Sequence, residues 1–162
     1  MVWSCLVSIL PGMAQTEKLT DYVNPFVGTD GYGNVYPGAQ IPFGGIQISP
    51  DTDSRFYDAA SGYKYNHLTL MGFSLTHLSG TGIPDLGDFL FIPGTGEMKL
   101  EPGTHEDPDQ GYRSRYSHDK EWASPNYYAV ELADYGVKAE MTSGVRSGMS
   151  VLLIQSRIMR SS

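Results

Sequence analysis

Apolar and polar residues alternate at every second position along two neighbouring stretches in the last third of the chain. In "YYAVELA", Tyr128, Val130 and Leu132 fall on one side, and in "GVKAEMTS", Val137, Ala139 and Met141 face one way while Lys138, Glu140 and Thr142 face the other. Strands show this period because successive side chains point to opposite faces. Between the two runs lie Ala133, Asp134, Tyr135 and Gly136, with the Asp and Gly that a tight reversal favours, so residues 127 to 142 are predicted to form an antiparallel hairpin. Runs bounded by Gly, Pro or Asp predict further strands at 40 to 48, 68 to 75, 88 to 92 and 112 to 118. No segment sustains a helical stripe; Thr20 is expected to cap one short helical turn through Val23, stopped by Pro25. Short strands at regular spacing point to an all-β fold, an antiparallel β-sandwich.

With 162 residues the chain suits one domain with a real core. Its two ends differ from the middle. The opening "MVWSCLVSILPGMAQ" has an apolar run from Val2 to Leu10 followed by small residues, which reads as a signal peptide over residues 1 to 14, and the run is too short for membrane insertion. The one cysteine, Cys5, sits inside it, so the processed chain would hold no disulfide, and export without disulfides fits a periplasmic or extracellular bacterial protein. At the other end all 18 acidic residues lie at or before Glu140, while the tail "SGVRSGMSVLLIQSRIMRSS" carries only arginines as charges. That break divides a sandwich domain at 20 to 145 from an aberrant tail at 146 to 162. The net charge of −7, without a basic cluster beyond Arg113 and Arg115, argues against nucleic acid as a partner. The Tyr-rich, acidic composition suits neutral, hydroxyl-bearing ligands instead.

Three stretches carry candidate chemistry. "GTDGYGNVYPGAQIPFGG" holds six glycines and two prolines. It lacks the Gly-Lys-Ser/Thr of a phosphate loop and the strand and helix that flank a dinucleotide fingerprint. What remains is a loop whose backbone can approach a ligand closely at Gly28, Gly31, Gly33 and Gly38, with Tyr32, Asn34 and Tyr36 available to stack or hydrogen-bond; plain turn structure is the competing reading. In "GFSLTHLSGTGIPDLGD", no serine has the surround of a nucleophile elbow, so a catalytic triad is rejected. His77 is then either a strand-end histidine bonded to local backbone or, with Asp85, a binder of sugar hydroxyls. "DTDSRFYDAASGY" offers Asp51, Asp53 and Asp58 as oxygen ligands but has Phe56 where a calcium loop needs Gly and Gly62 where it needs Glu, so turn-capping aspartates are the better reading.

Taken together, "YVNPFVGTDGYGNVYPGAQIPFGGIQISPDT", "SGYKYNHLTLMGFSLTHLSGTGIPDLGDFLFIPGTG" and the "GYRSRYSH" to "YYAVEL" stretch, in order and at natural spacing, resemble the N-terminal domain of glycoside hydrolase family 92, the exo-acting α-mannosidases of Bacteroidetes. The resemblance covers residues 22 to about 145. It implies a two-domain, calcium-dependent, inverting enzyme acting on α-mannoside glycans, with a β-sandwich packed on an (α/α)6 barrel that supplies the catalytic acid and base. By that resemblance this chain lacks the barrel, has no catalytic residue and no metal ligand of its own, and binds no calcium alone. The substrate contacts it implies are Gly31, Tyr32, Asn34, Tyr36, Tyr57, Asp58, His77, Ser79 and Asp85. Leu75 stands where the family often has the first His of His-Thr-His, and Tyr57, Asp58 and Ala59 stand where α-1,2-active members carry a Trp-Asp-Trp-like segment. From about Gly148 the sequence departs from the family's usual continuation, which implies a truncated or frameshifted fragment. A stand-alone carbohydrate-binding module and a purely structural envelope domain are the rival classes.

Overall fold

The computed structural model describes residues 17–53, 57–80 and 82–155; the expected signal segment at 1–14 lies outside them. Regular structure among the described residues consists of strands and short 3-10 turns, and no helix there is long and apolar enough to cross a membrane. The strands are β1 (Ser49–Asp51), β2 (Thr69–Leu70), β3 (Gly72–Ser74), β4 (Ser114–Arg115), β5 (Glu121–Ser124), β6 (Tyr127–Leu132), β7 (Val137–Ser143) and β8 (Gly148–Ile154). The last four form one antiparallel sheet in chain order, β5-β6-β7-β8. Two small antiparallel pairs, β1 with β3 and β2 with β4, complete the all-β architecture.

The predicted hairpin is present, and its register explains the core. Tyr128 lies beside Met141, Val130 beside Ala139 and Leu132 beside Val137, so the apolar alternates of both strands share one face. All six are buried, and they pack with Ile48, Tyr63, Leu70 and Phe73 from the first half of the chain. At the turn between β5 and β6, Asn126 adopts φ of 60°. Its amide then latches the turn onto β7, accepting from the Ser143 N–H at 3.0 Å and donating to the Ser143 carbonyl at 2.9 Å.

Elsewhere the expected strands shift. Residues 40 to 48 yield only a bridge between Ala39 and Ile48, and the strand forms instead at β1. Pro42 and Phe43 make a turn there, closed by the Gly44 N–H on the Ile41 carbonyl at 3.0 Å, which interrupts the alternation. The run at 68 to 75 divides into β2 and β3 because its halves find different partners, Thr69 beside Arg115 and Phe73 beside Pro50. Residues 88 to 92 contribute one bridge, between Phe91 and Phe73, and the strand expected at 112 to 118 is limited to Ser114–Arg115. Thr20 lies inside the 3-10 turn Leu19–Tyr22 rather than at its cap, a position held by Lys18 without a side-chain bond. Residues 148 to 154, within the segment set apart by charge, form β8, which pairs with β7 at every position from Gly148 beside Ser143 to Ile154 beside Val137.

Glu121, at the start of β5 and 6% exposed, points inward from the sheet into a ring of phenols. Its carboxylate accepts from Tyr128 at 2.6 Å and from Tyr63 at 3.0 Å, while His118 Nδ1 lies 2.6 Å away. Burial, together with the negative Glu121, pushes the phenols of Tyr63, Tyr116 and Tyr128 well above the ordinary tyrosine range. A pKa raised on folding favours the neutral phenol in the folded state. Stability from these tyrosines is therefore whole below about pH 10 and is lost as pH rises beyond it. The urea midpoint should stay level between neutral pH and about pH 10, then fall, with tyrosinate absorbance appearing in step with unfolding. Replacement Glu121→Gln should lower stability by about 1–3 kcal/mol, since the amide keeps one acceptor oxygen and turns the other position into a donor.

Candidate functional site

The glycine-rich loop folds onto itself and is pinned from below. The Thr29 hydroxyl donates to the Phe26 carbonyl at 2.8 Å, and the Tyr65 N–H to the Thr29 carbonyl at 2.9 Å. At Gly33 a Cβ would stand 2.2 Å from the Gly28 carbonyl oxygen, so no larger residue fits the crossing. Beneath the tip, the buried Lys64 donates its ammonium to the Gly31 carbonyl and lies 5.9 Å from the centre of the Tyr32 ring. Asn34 is buried in a left-handed backbone conformation, φ of 48°, and its carbonyl accepts the Gly80 N–H at 2.7 Å. That bond joins the loop to the strip around Ser79. The Asn34 side-chain oxygen has no partner, an open acceptor in the middle of the junction.

On top of this base stand two exposed rings. Tyr32 and Tyr57 are 80% and 64% exposed, with centroids 6.3 Å apart and planes inclined by 56°. Gly82 abuts Tyr57 so closely that a Cβ would enter the ring, 2.2 Å from its edge. The fold thus gathers Gly31, Tyr32, Asn34, Tyr57 and Ser79, which are distant in sequence, into one rim. Tyr36 is half-buried beside it, donating to Gln40 at 2.7 Å, with its own phenol pushed up to about 12 by burial. The side chain of Asp58 is outside what the structure describes.

His77 lies one layer deeper, 6% exposed, its ring 5.1 Å from that of Tyr36. Nδ1 faces the Gln47 carbonyl at 2.7 Å, and Nε2 faces both Asp51 and Ser74 at 3.0 Å. Ser74, fully buried, donates to the second Asp51 oxygen at 2.6 Å. Serine, histidine and aspartate do meet, but carboxylate and hydroxyl crowd the same nitrogen. In a catalytic triad they occupy opposite nitrogens, so the group holds structure rather than activating a nucleophile. Close packing at Gly62, where a Cβ would lie 2.2 Å from Asp51, seals the cluster. His77 and the exposed Asp85 line a cavity of ≈ 70 Å³. It takes water rather than a sugar ring, since ligand pockets run to roughly 300–1,000 Å³. Larger grooves of ≈ 380 and ≈ 550 Å³ lie near Gln155 and share no lining residue with the tyrosine rim.

The aspartates of "DTDSRFYDAASGY" do not converge. Asp51 is taken by His77 and Ser74, and the buried Asp53 lies 3.6 Å from His105 Nε2. Among the described residues no three of His, Cys, Asp and Glu come together in a way that could hold a metal ion.

With this geometry in view, the sequence profile of the glycosyl hydrolase family 92 N-terminal domain matches residues 22–152. The chain belongs to that family. It superposes with a TM-score of 0.83 and 98% identity on the family 92 α-mannosidase BT3965 of Bacteroides thetaiotaomicron, solved in complex with mannoimidazole, covering 84% of this chain and 18% of the enzyme. A protein of Arthroderma benhamiae named as an uncharacterized secreted glycosidase is 32% identical over 123 residues, 75% of this chain and 15% of its own length. The inverting family 92 mannosidase BT2199 of Bacteroides thetaiotaomicron shares the fold, with a TM-score of 0.60 at 22% identity over 88% of this chain and 19% of its own. The chain thus spans less than a fifth of the solved relatives and of the curated one.

Within the family 92 domain, the sequence reading named the exposed rim and missed its supports. Lys64, Ser74 and Gln47 carry no signal along the chain, and Asp51, read there as a turn-capping aspartate, instead binds His77 and Ser74. Replacement Gly33→Ala should displace the loop by overpacking, at a cost of about 1–3 kcal/mol. In amide NMR spectra, residues 28 to 37 should shift while β5 to β8 stay in place.

Proposed function

We propose that this domain is the sugar-contacting N-terminal part of a calcium-dependent, inverting exo-α-mannosidase acting on N-glycan or mannan α-mannosides, exported to the periplasm or beyond. The observation that carries the reading is the exposed ring of Tyr32, on a loop fastened by Lys64 and Asn34, beside the exposed ring of Tyr57. Ring faces and fixed polar groups at the mouth of a rigid loop suit a pyranose, which offers one apolar face and a circle of hydroxyls. Gly31 and Ser79 lie exposed at the rim, Asp85 is exposed beside the smaller cavity that His77 lines, and Asn34, Tyr36 and His77 hold the rim from within. Names of relatives support the substrate class and the export, since one is an α-mannosidase bound to mannoimidazole and another a secreted glycosidase.

Hydrolysis with inversion needs an acid and a base carboxyl on opposite sides of the sugar, about 6.5–9.5 Å apart. The reading assigns both to the (α/α)6 part of the enzyme, outside this chain. Purified chain should therefore release no aryl α-mannoside product and leave mannobiose intact, and turnover by homogeneous protein would refute the assignment. In an NMR titration with mannose, shifts should gather at 28–37, Tyr57 and 79–85, and Tyr32→Ala should remove them. Shifts confined to other surfaces would sink the rim as the contact site. Strong calorimetric binding of mannose oligomers by the lone chain would favour the rival reading, an independent carbohydrate-binding module.

A further inference from the structure

We infer that His67 and His105 form an acid-operated latch: with one proton or none beyond the neutral pair they keep the loop tip 103–107 seated on β2, and a second proton drives the tip off. The inference is independent of the sugar reading. The two rings lie with centroids 4.0 Å apart and planes inclined by 46°. Beneath them Thr52, Asp53, Thr69 and Arg113 are buried, while the His105 side chain is 24% exposed and so within reach of protons from water. Each ring meets a threonine hydroxyl through Nδ1, His67 with Thr52 at 3.0 Å and His105 with Thr69 at 2.8 Å. Both threonine oxygens already accept from a nitrogen, Thr52 from the Lys64 N–H at 2.9 Å and Thr69 from the Arg113 guanidinium at 3.4 Å. Their own protons therefore point at the rings, since the Gly62 carbonyl, the other acceptor for Thr52, is 3.4 Å away. In the seated tip both Nδ1 atoms are acceptors, the pattern of neutral imidazoles.

The surrounding charges admit one extra proton and oppose a second. Asp53 places a carboxylate oxygen 3.6 Å from His105 Nε2, which favours a charge on that ring. Arg113 is already cationic and donates to the Thr52 carbonyl between the two histidines' hydroxyl partners. The acidic neighbours on the loop itself help little: Glu106 is exposed to water, and Asp107 turns its carboxylate to the Gln110 amide. Arg115, beside Thr69 in the β2 and β4 pair, is held by Asp109 and Asp134, and the Lys64 ammonium by the Gly31 carbonyl. Two imidazolium rings at this separation would add a repulsion that Asp53 alone, beside Arg113, does not offset. The open tip thus binds one proton more than the seated tip, and falling pH favours opening.

The loop is built so that its tip can leave while its base stays. Backbone bonds close the base, the Tyr112 N–H on the Glu101 carbonyl at 2.8 Å and the Arg113 N–H on the Pro102 carbonyl at 3.2 Å. Arg115 grips Asp109 with both of its terminal nitrogens, a pair that mild acid leaves ionised. Gly103, with φ of 72°, stands at the start of the tip. Within the tip, Asp107 bonds back to the Thr104 hydroxyl at 3.0 Å, and His105 is the residue that reaches across to β2. Local opening of such a segment needs few contacts to break.

The test follows the whole chain by NMR from neutral pH to about pH 5, the range in which histidines change charge. Ring signals of His67 and His105 should titrate in two separate steps, as coupled sites do. With the second, more acidic step the cross-ring NOE should vanish, and backbone order parameters at 104–107 should fall from about 0.85 to below about 0.6 while β5 to β8 stay rigid. His67→Phe keeps a ring against His105 but leaves one titrating group, so its tip should stay seated at about pH 5. A wild-type tip that remains ordered at about pH 5 with both rings charged overturns the inference. So does a single coincident step for the two rings, or a His67→Phe tip released by acid as in the wild type.

Discussion

The carboxylate of Asp51 is the point on which the arrangement of the loops depends. A buried carboxylate costs several kcal/mol in lost hydration, so every oxygen lone pair must find a donor. Asp51 satisfies one oxygen with His77 and the other with Ser74, and its backbone carbonyl accepts the Met71 N–H at 2.7 Å. One residue of β1 thereby fixes β3, the strip after it, and the turn at Gly62. The Ser79 strip then reaches Asn34 and the glycine loop through the Gly80 N–H. A chain with few long strands in its first half gains through side-chain hydrogen bonds the definition that a long ladder gives its second half.

Glu121 plays the matching part against the larger sheet. It joins Tyr63, from the loop-rich half, to Tyr128 of β6, so the two halves share a polar node inside an otherwise apolar contact. Side-chain networks of this kind hold only if every member is satisfied. Here phenol hydroxyls donate and the carboxylate accepts, and burial above all, with the negative charge beside them, keeps the tyrosines from ionising. Each ring of the exposed rim has its own support: Tyr32 follows a tip held by Lys64, and Tyr57 packs against Gly82.

The margin of the large sheet behaves differently from both nodes. On the core-facing side Leu152 and Ile154 of β8 continue the apolar row of Ala139 and Val137, while on the other side Met149, Val151 and Leu153 stand beside the polar Thr142, Glu140 and Lys138 of β7. The chain spans a small fraction of its relatives, and family membership covers residues 22–152, which includes most of this strand.

Where the physics is local, the sequence alone determined the outcome. The period-two pattern and the Asp and Gly turn of residues 127 to 142 specified a hairpin, its register and its buried face, because alternation leaves one pairing that hides every apolar residue. Tyr32 and Asn34 were legible as candidates in their glycine-rich loop, beside the competing reading of plain turn structure, whereas Tyr57 and Ser79 came from the family resemblance. Strand limits at 40–48 and 88–92 were not legible, since a Pro turn and isolated bridges depend on which partner arrives. Tertiary structure alone decided that Asp51, Ser74 and His77 lock together and that Lys64 supports the loop. Those contacts join residues up to 33 positions apart, and a separation of that kind leaves no periodic trace, because only chain folding sets which distant polar atoms share a buried space.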